Sequence, residues 1–227
     1  MQACISVRSD AAHVLLDCGT SALIAMKRLG VDPNTVDAVA ITHLHGDHFG
    51  GLSFLVLDGQ FSQRQRPLLV AGPLGTRERV TQAMEVLFPG SSRVERRFQV
   101  HFLELEERAE TPLVGPFSVA AYPVPHPSGA PAYALRLAGL GKVIAYSGDT
   151  AWSEVLLEVA READLFICEA YSYEKRISHH LDYATLREHR SRLDCRRLVL
   201  THLGADMLSN LAHVSEEIGQ DGLEITV

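Results

Sequence analysis

Short apolar runs separated by turn residues recur along the whole chain, and helical patterns lie between several of them. In the first half, the pattern predicts strands at 3–7, 13–17, 36–42, 67–71 and 98–105, and helices at 20–29, 50–57 and 75–88. In the second half, it predicts strands at 117–124, 133–137, 142–147, 165–169, 198–201 and 223–227, and helices at 152–162, 183–193 and 207–218. Because hairpins and crossover helices both occur, we expect mixed sheets with helices outside them.

A histidine-rich loop follows the third predicted strand and contains His43, His45, Asp47 and His48. His43 and His45 are two residues apart, so in an extended chain their rings point the same way and can bind one ion. Asp47 and His48 come after a glycine that lets the chain bend, and they can reach a second ion. The buried strand before the loop would hold it rigidly at a sheet edge. The sequence therefore predicts a site for a pair of divalent metal ions.

Three further candidate ligands stand at or just after the ends of predicted strands. Asp149 follows strand 142–147, where a carboxylate can bridge two ions; the alternative is a helix N-cap, a position that Asp favours. His202 closes the apolar strand 198–201, where a core histidine is the alternative. His126 lies between two prolines that fix the backbone around it, and the alternative is a structural loop histidine.

The composition is that of an ordinary soluble globular domain, with 227 residues, 46% hydrophobic and 22% charged. This length suits one fair-sized domain, which we expect to span residues 1–227. No run approaches the length of a membrane span, and the N-terminus lacks the features of a secretory signal. The four cysteines are scattered with no Cys-x-x-Cys pair, which favours free thiols in a reducing cytoplasm.

The charge balance bears on the partners of the protein. The net charge is −7 and the pI is about 5.9, whereas dedicated nucleic-acid-binding proteins usually carry a basic surface. A long polyanion is therefore not expected as an obligatory partner, while a small phosphorylated substrate is compatible with this charge. Local basic clusters are expected to be mostly solvated faces of helices and loops: Arg64/Arg66, Arg77/Arg79, Arg93/Arg96/Arg97 and Arg187/Arg190/Arg192.

The motif His-x-His-x-Asp-His after an apolar strand resembles the signature of the metallo-β-lactamase superfamily of metal-dependent hydrolases. The resemblance implies an α/β fold, the αβ/βα sandwich of two facing mixed sheets with helices on both outer faces. The chain begins too late to contain all of the family's opening strand and glycine-rich turn, so we expect the first strand to be missing or replaced. Asp17 matches the family's aspartate that orients the metal loop; a strand-end turn residue is the alternative.

The same resemblance assigns the metal ligands by position. One metal would be held by His43, His45 and His126, the other by Asp47, His48 and His202, with Asp149 bridging. Five imidazoles and two carboxylates without a thiolate suit Zn²⁺ and are also compatible with Mn²⁺ or Fe²⁺. His45 stands where di-iron redox members of the superfamily tend to have Glu, which favours hydrolytic zinc. The absence of a ligand cysteine argues against a zinc β-lactamase.

Residues 163–202 are similar to the ribonuclease Z-like phosphodiesterase branch of the superfamily. In that branch a histidine about 22 residues before the final ligand histidine works with a glutamate from the preceding strand. His180 lies 22 residues before His202 (202 − 180 = 22), and Glu169 ends the predicted strand. The family often has His-Ser-Thr where this chain has His-Leu-Asp, so His179 stays open as the alternative to His180.

The function that these residues imply is a dinuclear zinc phosphodiesterase acting on a small phosphodiester or cyclic phosphate through a hydroxide between the metals. The predicted catalytic residues are Asp47, His180 and Glu169, with His180 as the proton donor to the leaving alkoxide. One alternative is a thioester or lactone hydrolase, which needs no such donor. Another is a metal-binding scaffold or pseudoenzyme without activity.

Precursor tRNA is not an expected substrate. Ribonuclease Z carries a protruding arm between the counterparts of His126 and Asp149, and here only the 22 residues 127–148 lie between them. Two predicted strands use most of that interval, so no arm fits. The oligomeric state stays open, with a homodimer as one alternative.

Overall fold

The computed structural model describes residues 1–227 and divides them into two compact units. The first unit comprises residues 1–106 and 111–117, and the second comprises residues 107–110 and 118–227. Two sheets of five and seven strands are formed, and each combines parallel with antiparallel neighbours. The predicted mixed sheets with accompanying helices are therefore confirmed.

The first unit contains the five-stranded sheet. Its strands are β1 (Ile5–Arg8), β2 (His13–Leu16), β3 (Ala38–Ala40), β4 (Leu68–Gly72) and β5 (Val100–Glu104). Its helices are α1 (Ala22–Arg28), α2 (Gly46–Phe49), α3 (Gly51–Phe61) and α4 (Thr76–Leu87). The strands lie in chain order, with β1 antiparallel to β2 and the other neighbours parallel. Parallel neighbours need crossover connections, which α1, α3 and α4 supply.

The seven-stranded sheet belongs to the second unit, apart from residues of its first two strands at the division. Its strands are β6 (Glu110–Val114), β7 (Phe117–Pro123), β8 (Tyr133–Gly139), β9 (Lys142–Tyr146), β10 (Leu165–Glu169), β11 (Leu198–Thr201) and β12 (Glu217–Ile218). The helices are α5 (Val155–Ala160), α6 (Tyr183–His189) and α7 (Ala205–Ser209). The order is β12-β11-β10-β9-β8-β7-β6, and β9 to β12 run parallel.

Parallel pairing decides where the chemistry-bearing residues lie within each unit. Asp17 follows β2 and Thr42 follows β3, which are parallel neighbours, so both come to one edge of the five-stranded sheet. In the second unit, Glu169 ends β10 and His202 follows β11 at one edge of the other sheet. Buried apolar side chains of β10, α6 and β11 pack under that edge and fix it; each contributes roughly 1.5–3 kcal/mol by its burial.

The end of the chain differs from the prediction. The single helix expected at 207–218 is replaced by α7, a 3-10 turn at Leu211–His213 and the strand β12. The apolar residues that predicted this helix lie in separate elements, because Ile218 belongs to β12 and pairs with Leu200 of β11. The predicted closing strand at 223–227 is wrong, because β12 already occupies the edge beside β11 and the last residues belong to no strand.

Other elements were mispredicted in extent. The helix expected at 152–162 is helical only from Val155 to Ala160, and the helix expected at 183–193 ends at His189 before a 3-10 turn. Strand β6 was not predicted; it precedes β7 through a turn at Gly115, whose φ of 54° glycine adopts readily. None of the helices has both the length and the apolar character needed to cross a lipid bilayer.

Arg64 departs from the expectation that the basic clusters are solvated. Its side chain is 4% exposed and donates to the backbone carbonyls of Pro33 and Pro67, at 3.3 and 2.8 Å. Burial lowers the pKa of this guanidinium, although nearby Asp37 partly offsets the effect. The arginine therefore satisfies buried carbonyls of the turns before β3 and β4, which is a structural role.

His13 is a second buried polar residue of the first unit. Its ring nitrogens Nε2 and Nδ1 lie 2.8 and 2.9 Å from the hydroxyls of Ser6 and Thr35. Burial lowers the pKa of His13 to about 4; Arg8 lowers it further and Asp37 raises it. Folding therefore favours the neutral ring.

We predict that His13 makes the protein acid-sensitive. The unfolded pKa is 6.5 and the folded pKa about 4, so the unfolded chain binds more protons in this window, and stability falls as pH drops through it. The test compares the free energy of unfolding in urea of metal-free wild type and His13→Gln. The amount by which the variant is less stable than the wild type should shrink by about 2–3 kcal/mol between about pH 7.5 and 4.5. A deficit that stays constant with pH would contradict the assignment.

Candidate metal centre

The histidine-rich loop of the first unit is held by helix α2 rather than by a simple bend. The amide of Phe49 donates to the carbonyl of His45 at 3.1 Å, so Asp47 and His48 lie on a helical turn. Before that turn the chain is extended, and Nε2 of His43 lies 3.2 Å from Nδ1 of His45. The predicted pairing of these two imidazoles is therefore present.

The carboxylate of Asp17 organises this loop. It is fully buried and accepts from the Thr42 amide at 2.8 Å and from the Thr42 hydroxyl at 2.9–3.0 Å. Its other partner is Nδ1 of His48, 2.7 Å away. The Thr42 hydroxyl also lies 3.0 Å from Nδ1 of His43. Both imidazoles are thus engaged at Nδ1, which leaves Nε2 as the atom suited to bind a metal.

Close packing of backbone supports the same arrangement. Asp17 has a φ of 60°, a left-handed conformation that Asp tolerates better than most residues. A Cβ atom at Gly19 would lie only 2.2 Å from the carbonyl oxygen of Asp47. A glycine is therefore required where the segment after Asp17 passes α2.

In the second unit, candidate ligands gather at the ends of β9 and β11. Asp149 is 3% exposed, and its Oδ2 lies 3.2 Å from Nε2 of His202. His202 has a φ of 56°, a conformation that histidine adopts more often than most residues. His126 is buried, and its Nδ1 lies 2.9 Å from the backbone oxygen of His179. Its Nε2 is again the nitrogen suited to bind a metal.

The buried Glu169 and the partly buried His180 form a pair beside these ligands. Nδ1 of His180 lies 3.1 Å from Glu169 Oε2 and 4.0 Å from Asp149 Oδ2. Candidate ligand atoms of His126, Asp149 and His180 lie within 4.8 Å of one another. Glu169 also accepts from the amide of Thr150.

The ionisation of Glu169 is perturbed by this environment. Burial raises the pKa of Glu169 to about 7, and the nearby Asp149 carboxylate raises it as well. The hydrogen bonds from His180 and from the Thr150 amide lower it. Burial and Asp149 thus favour the protonated form of Glu169, whereas the contacts with His180 and Thr150 favour its carboxylate.

The structure distinguishes the two neighbouring histidines. The ring of His180 is partly buried and contacts Glu169, whereas the side chain of His179 is exposed. His179 has a φ of 66° and contributes its backbone oxygen to His126. The sequence spacing that favoured His180 agrees with this placement.

The donor set fits a divalent metal ion. In the first unit the donors are His43, His45, Asp47 and His48; in the second they are His126, Asp149 and His202. Imidazole and carboxylate donors without thiolate suit zinc and its borderline neighbours. The imidazoles of His43, His48 and His126 each have an oxygen atom as the hydrogen-bond partner of Nδ1, the arrangement typical of metal-binding histidines.

Sequence reasoning missed several supporting residues. Thr42 directly precedes the histidine-rich motif, and that position was the only available signal for its role. Ser147 donates from its hydroxyl to the carbonyl of Gly148 and accepts from the amide of Glu169 at 2.8 Å. Tyr171 stacks on His180 with ring centroids 4.6 Å apart. No local pattern indicated Ser147 or Tyr171, because their partners are distant in sequence.

Comparison with known proteins identifies relatives across nearly the whole chain. The model of the family described as Anti-Pycsar protein Apyc1 matches residues 2–220. Ribonuclease Z of Agathobacter rectalis is 24% identical over 255 aligned residues, which cover 90% of this chain and 82% of that protein. The Anti-Pycsar protein Apyc1 of Saccharibacillus brassicae is 30% identical over 156 residues, which cover 66% of this chain and 61% of that protein.

Solved structures have the same fold. The crystal structure of the short form of human tRNase Z superposes with a TM-score of 0.78 at 22% identity, covering 99% of this chain and 92% of that one. The expected metallo-β-lactamase fold, the resemblance to the ribonuclease Z-like branch and the assignment as a metal-dependent hydrolase are confirmed by these matches.

We predict that Asp17→Asn weakens metal binding without unfolding the protein. Asn tolerates the left-handed backbone, but its amide cannot replace both carboxylate oxygens opposite Thr42 and His48. Loss of such a supporting partner typically costs 10–100-fold in metal affinity, so zinc affinity should fall by about that factor. Competition with a chromophoric chelator measures the affinity, and circular dichroism checks the fold.

The matched control is Asp10→Asn, the same chemical change at an exposed turn residue. This variant should bind zinc like the wild type. Equal affinities for the Asp10 and Asp17 variants would show that Asp17 does not orient the loop.

Proposed function

The chain belongs to the Anti-Pycsar protein Apyc1 family, and we propose that it is a dinuclear metal-dependent phosphodiesterase that acts on a small phosphodiester or cyclic phosphate. Under this proposal residues 1–227 work as a single catalytic domain. The family resemblance supports this proposal, as do the donor sets at the sheet edge of each unit.

Each predicted ligand has a proposed role. His43, His45 and His126 would hold one metal ion, Asp47, His48 and His202 would hold the other, and Asp149 would be shared between them. Zinc is the metal that we propose, since every donor is an imidazole or carboxylate. When bound, two divalent ions supply an activated water near neutral pH and neutralise charge on the phosphoryl oxygens. The protein's own part is to orient these donors through Asp17, Thr42 and the backbone oxygen of His179.

The observation that carries the proposal is the contact between His180 and Glu169. A phosphodiester with an alkoxide leaving group needs a proton on the departing oxygen. His180 is bound at Nδ1 by Glu169, 3.1 Å away, so its Nε2 can give that proton. Glu169 holds the ring and stabilises its protonated form. A thioester or lactone hydrolase would have no use for this pair, and a scaffold protein would have no use for either residue.

A small substrate is proposed because the chain offers no arm for a long one. The interval between His126 and Asp149 is occupied by β8 and β9, which pair as a hairpin with Gly139 opposite Lys142. The net charge of −7 also opposes binding of a long polyanion, whose affinity depends largely on phosphate neutralisation.

Metal-loaded protein should therefore hydrolyse bis(p-nitrophenyl) phosphate and a dinucleoside monophosphate, while thioesters, lactones and β-lactams react slowly. Elemental analysis should find two metal ions per chain, and Asp149→Asn should lose most of the activity. Precursor tRNA should be cleaved poorly at catalytic enzyme concentrations. Faster turnover of a lactone or thioester than of any phosphodiester would refute the proposal, as would one ion per chain at zinc saturation.

A second prediction concerns His180. His180→Ala should retain its metals but lose roughly 10²–10⁴-fold in turnover of the dinucleoside monophosphate, because the alkoxide leaves unprotonated. The loss should be much smaller for bis(p-nitrophenyl) phosphate, since nitrophenolate departs without a proton. Glu169→Gln should show a milder form of the same pattern.

His179→Asn is the matched control, because Asn tolerates the left-handed backbone whose oxygen contacts His126 and changes only the exposed side chain beside His180. It should change the turnover of either substrate little. If His180→Ala slowed both substrates equally, its role as an acid would be wrong.

A further inference from the structure

The ring of Tyr171 lies against the ring of His180. The two centroids are 4.6 Å apart and the planes differ by 27°. Tyr171 also lies 5.6 Å from the ring of His202, and the rings of His180 and His202 are nearly parallel at 5.5 Å. The three rings therefore form one aromatic group at the edge where β10 and β11 end.

The backbone holds Tyr171 at both of its polar groups. Its amide donates to the carbonyl of Leu181 at 2.8 Å, and its carbonyl accepts from the amide of Gly204 at 2.8 Å. A Cβ atom at Gly204 would lie 2.7 Å from the Tyr171 carbonyl oxygen and 3.2 Å from its ring. Glycine at 204 thus lets the chain after His202 pack directly on Tyr171, so the tyrosine has little freedom to move.

A single hydrogen bond cannot fix an imidazole completely. The contact between Glu169 and Nδ1 of His180 restrains the ring, but a hydrogen bond tolerates some bending, so a limited rotation about the Cβ–Cγ bond remains possible. Such a rotation swings Nε2 away from any fixed leaving group. An aromatic face held nearly parallel to the imidazole opposes it, because offset-stacked rings lose contact when one of them turns.

We propose that Tyr171 is a positioning residue that fixes the plane of His180 and thereby aims its Nε2 at the leaving oxygen. The inference rests on the proposed function, in which His180 is the acid, and adds to it the residue that orients the acid. The ring of Tyr171 carries the effect; its hydroxyl is not required. Glu169 thus restrains the position of Nδ1 of His180, while Tyr171 restrains the plane of the ring.

The test compares Tyr171→Leu with Tyr171→Phe in the metal-loaded protein. The Leu variant should lose roughly 3–10-fold in kcat on the dinucleoside monophosphate, with KM little changed. On bis(p-nitrophenyl) phosphate it should resemble the wild type. The Phe variant keeps the aromatic face and should restore the alkoxide reaction. Tyr173→Leu is the matched control, since Tyr173 stacks on Tyr183 instead, and it should show no difference between the substrates.

A spectroscopic readout requires no turnover. In ¹H–¹⁵N spectra of the histidine side chains, His180 should give one sharp set of signals in the wild type and the Phe variant. In the Leu variant these signals should broaden or split, because the ring samples more than one plane. If Tyr171→Leu is too unstable to purify, Tyr171→Met removes the aromatic face while filling a similar volume.

The outcomes separate the two proposals. If His180→Ala shows the leaving-group dependence but Tyr171→Leu does not, and the His180 signals stay sharp, Tyr171 does not position His180 and the proposed function stands. If Tyr171→Phe is as impaired as Tyr171→Leu, the hydroxyl matters and the stacking argument is wrong. If His180→Ala itself shows no leaving-group dependence, the acid role and the role of Tyr171 both fail.

Discussion

The carboxylate of Asp17 is completely buried, and the geometry of the histidine-rich loop depends on how its charge is satisfied. A buried carboxylate is costly unless it is hydrogen-bonded or paired. Here the amide and hydroxyl of Thr42 and Nδ1 of His48 meet that need. These contacts connect the end of β2 to the end of β3 and to α2. One electrostatic requirement therefore fixes the positions of residues that are 25 and 31 apart in sequence.

The second unit also contains a buried carboxylate that contacts an imidazole, but the proposed role of that imidazole is different. Glu169 is fully buried at the end of β10 and accepts from the Thr150 amide and from Nδ1 of His180. In both units a carboxylate at the end of a parallel strand contacts Nδ1 of an imidazole. The other ring nitrogen, Nε2, is the atom that is proposed to act. His48 is proposed to bind a metal and His180 to give up a proton. The contact at Nδ1 is alike in both, but the side chain of His48 is fully buried whereas that of His180 is 20% exposed.

Control of imidazole orientation is thus a feature that both units share. The hydroxyl of Thr42 contacts Nδ1 of His43. The backbone oxygen of His179 likewise contacts Nδ1 of His126. At His180, the stacked ring of Tyr171 is proposed to add a second restraint to the contact with Glu169. Precise orientation matters for both proposed tasks, since metal binding and proton transfer each depend on the direction of a lone pair or an N–H bond.

The sequence by itself determined the features that depend on residues close together in the chain. The histidine-rich motif after an apolar strand, the order of the central strands and the strand-end positions of Asp149, Glu169 and His202 all follow from local patterns. The strands 165–169 and 198–201 have the predicted bounds, because continuous apolar runs between turn residues leave little ambiguity. The family's spacing also favoured His180, with His179 left open as the alternative.

Only the tertiary structure decided which groups support these residues. Thr42 contacts Asp17 and Ser147 contacts Glu169 because parallel strands bring their segments together, while Tyr171 meets His180 within the segment between β10 and α6. No local pattern records these contacts. The same holds for the residues after α7, where pairing of Ile218 with Leu200 outweighed an apolar pattern that favoured a helix. Hydrophobic periodicity specifies the face that a residue buries, whereas its partner on that face is fixed only when the sheet forms.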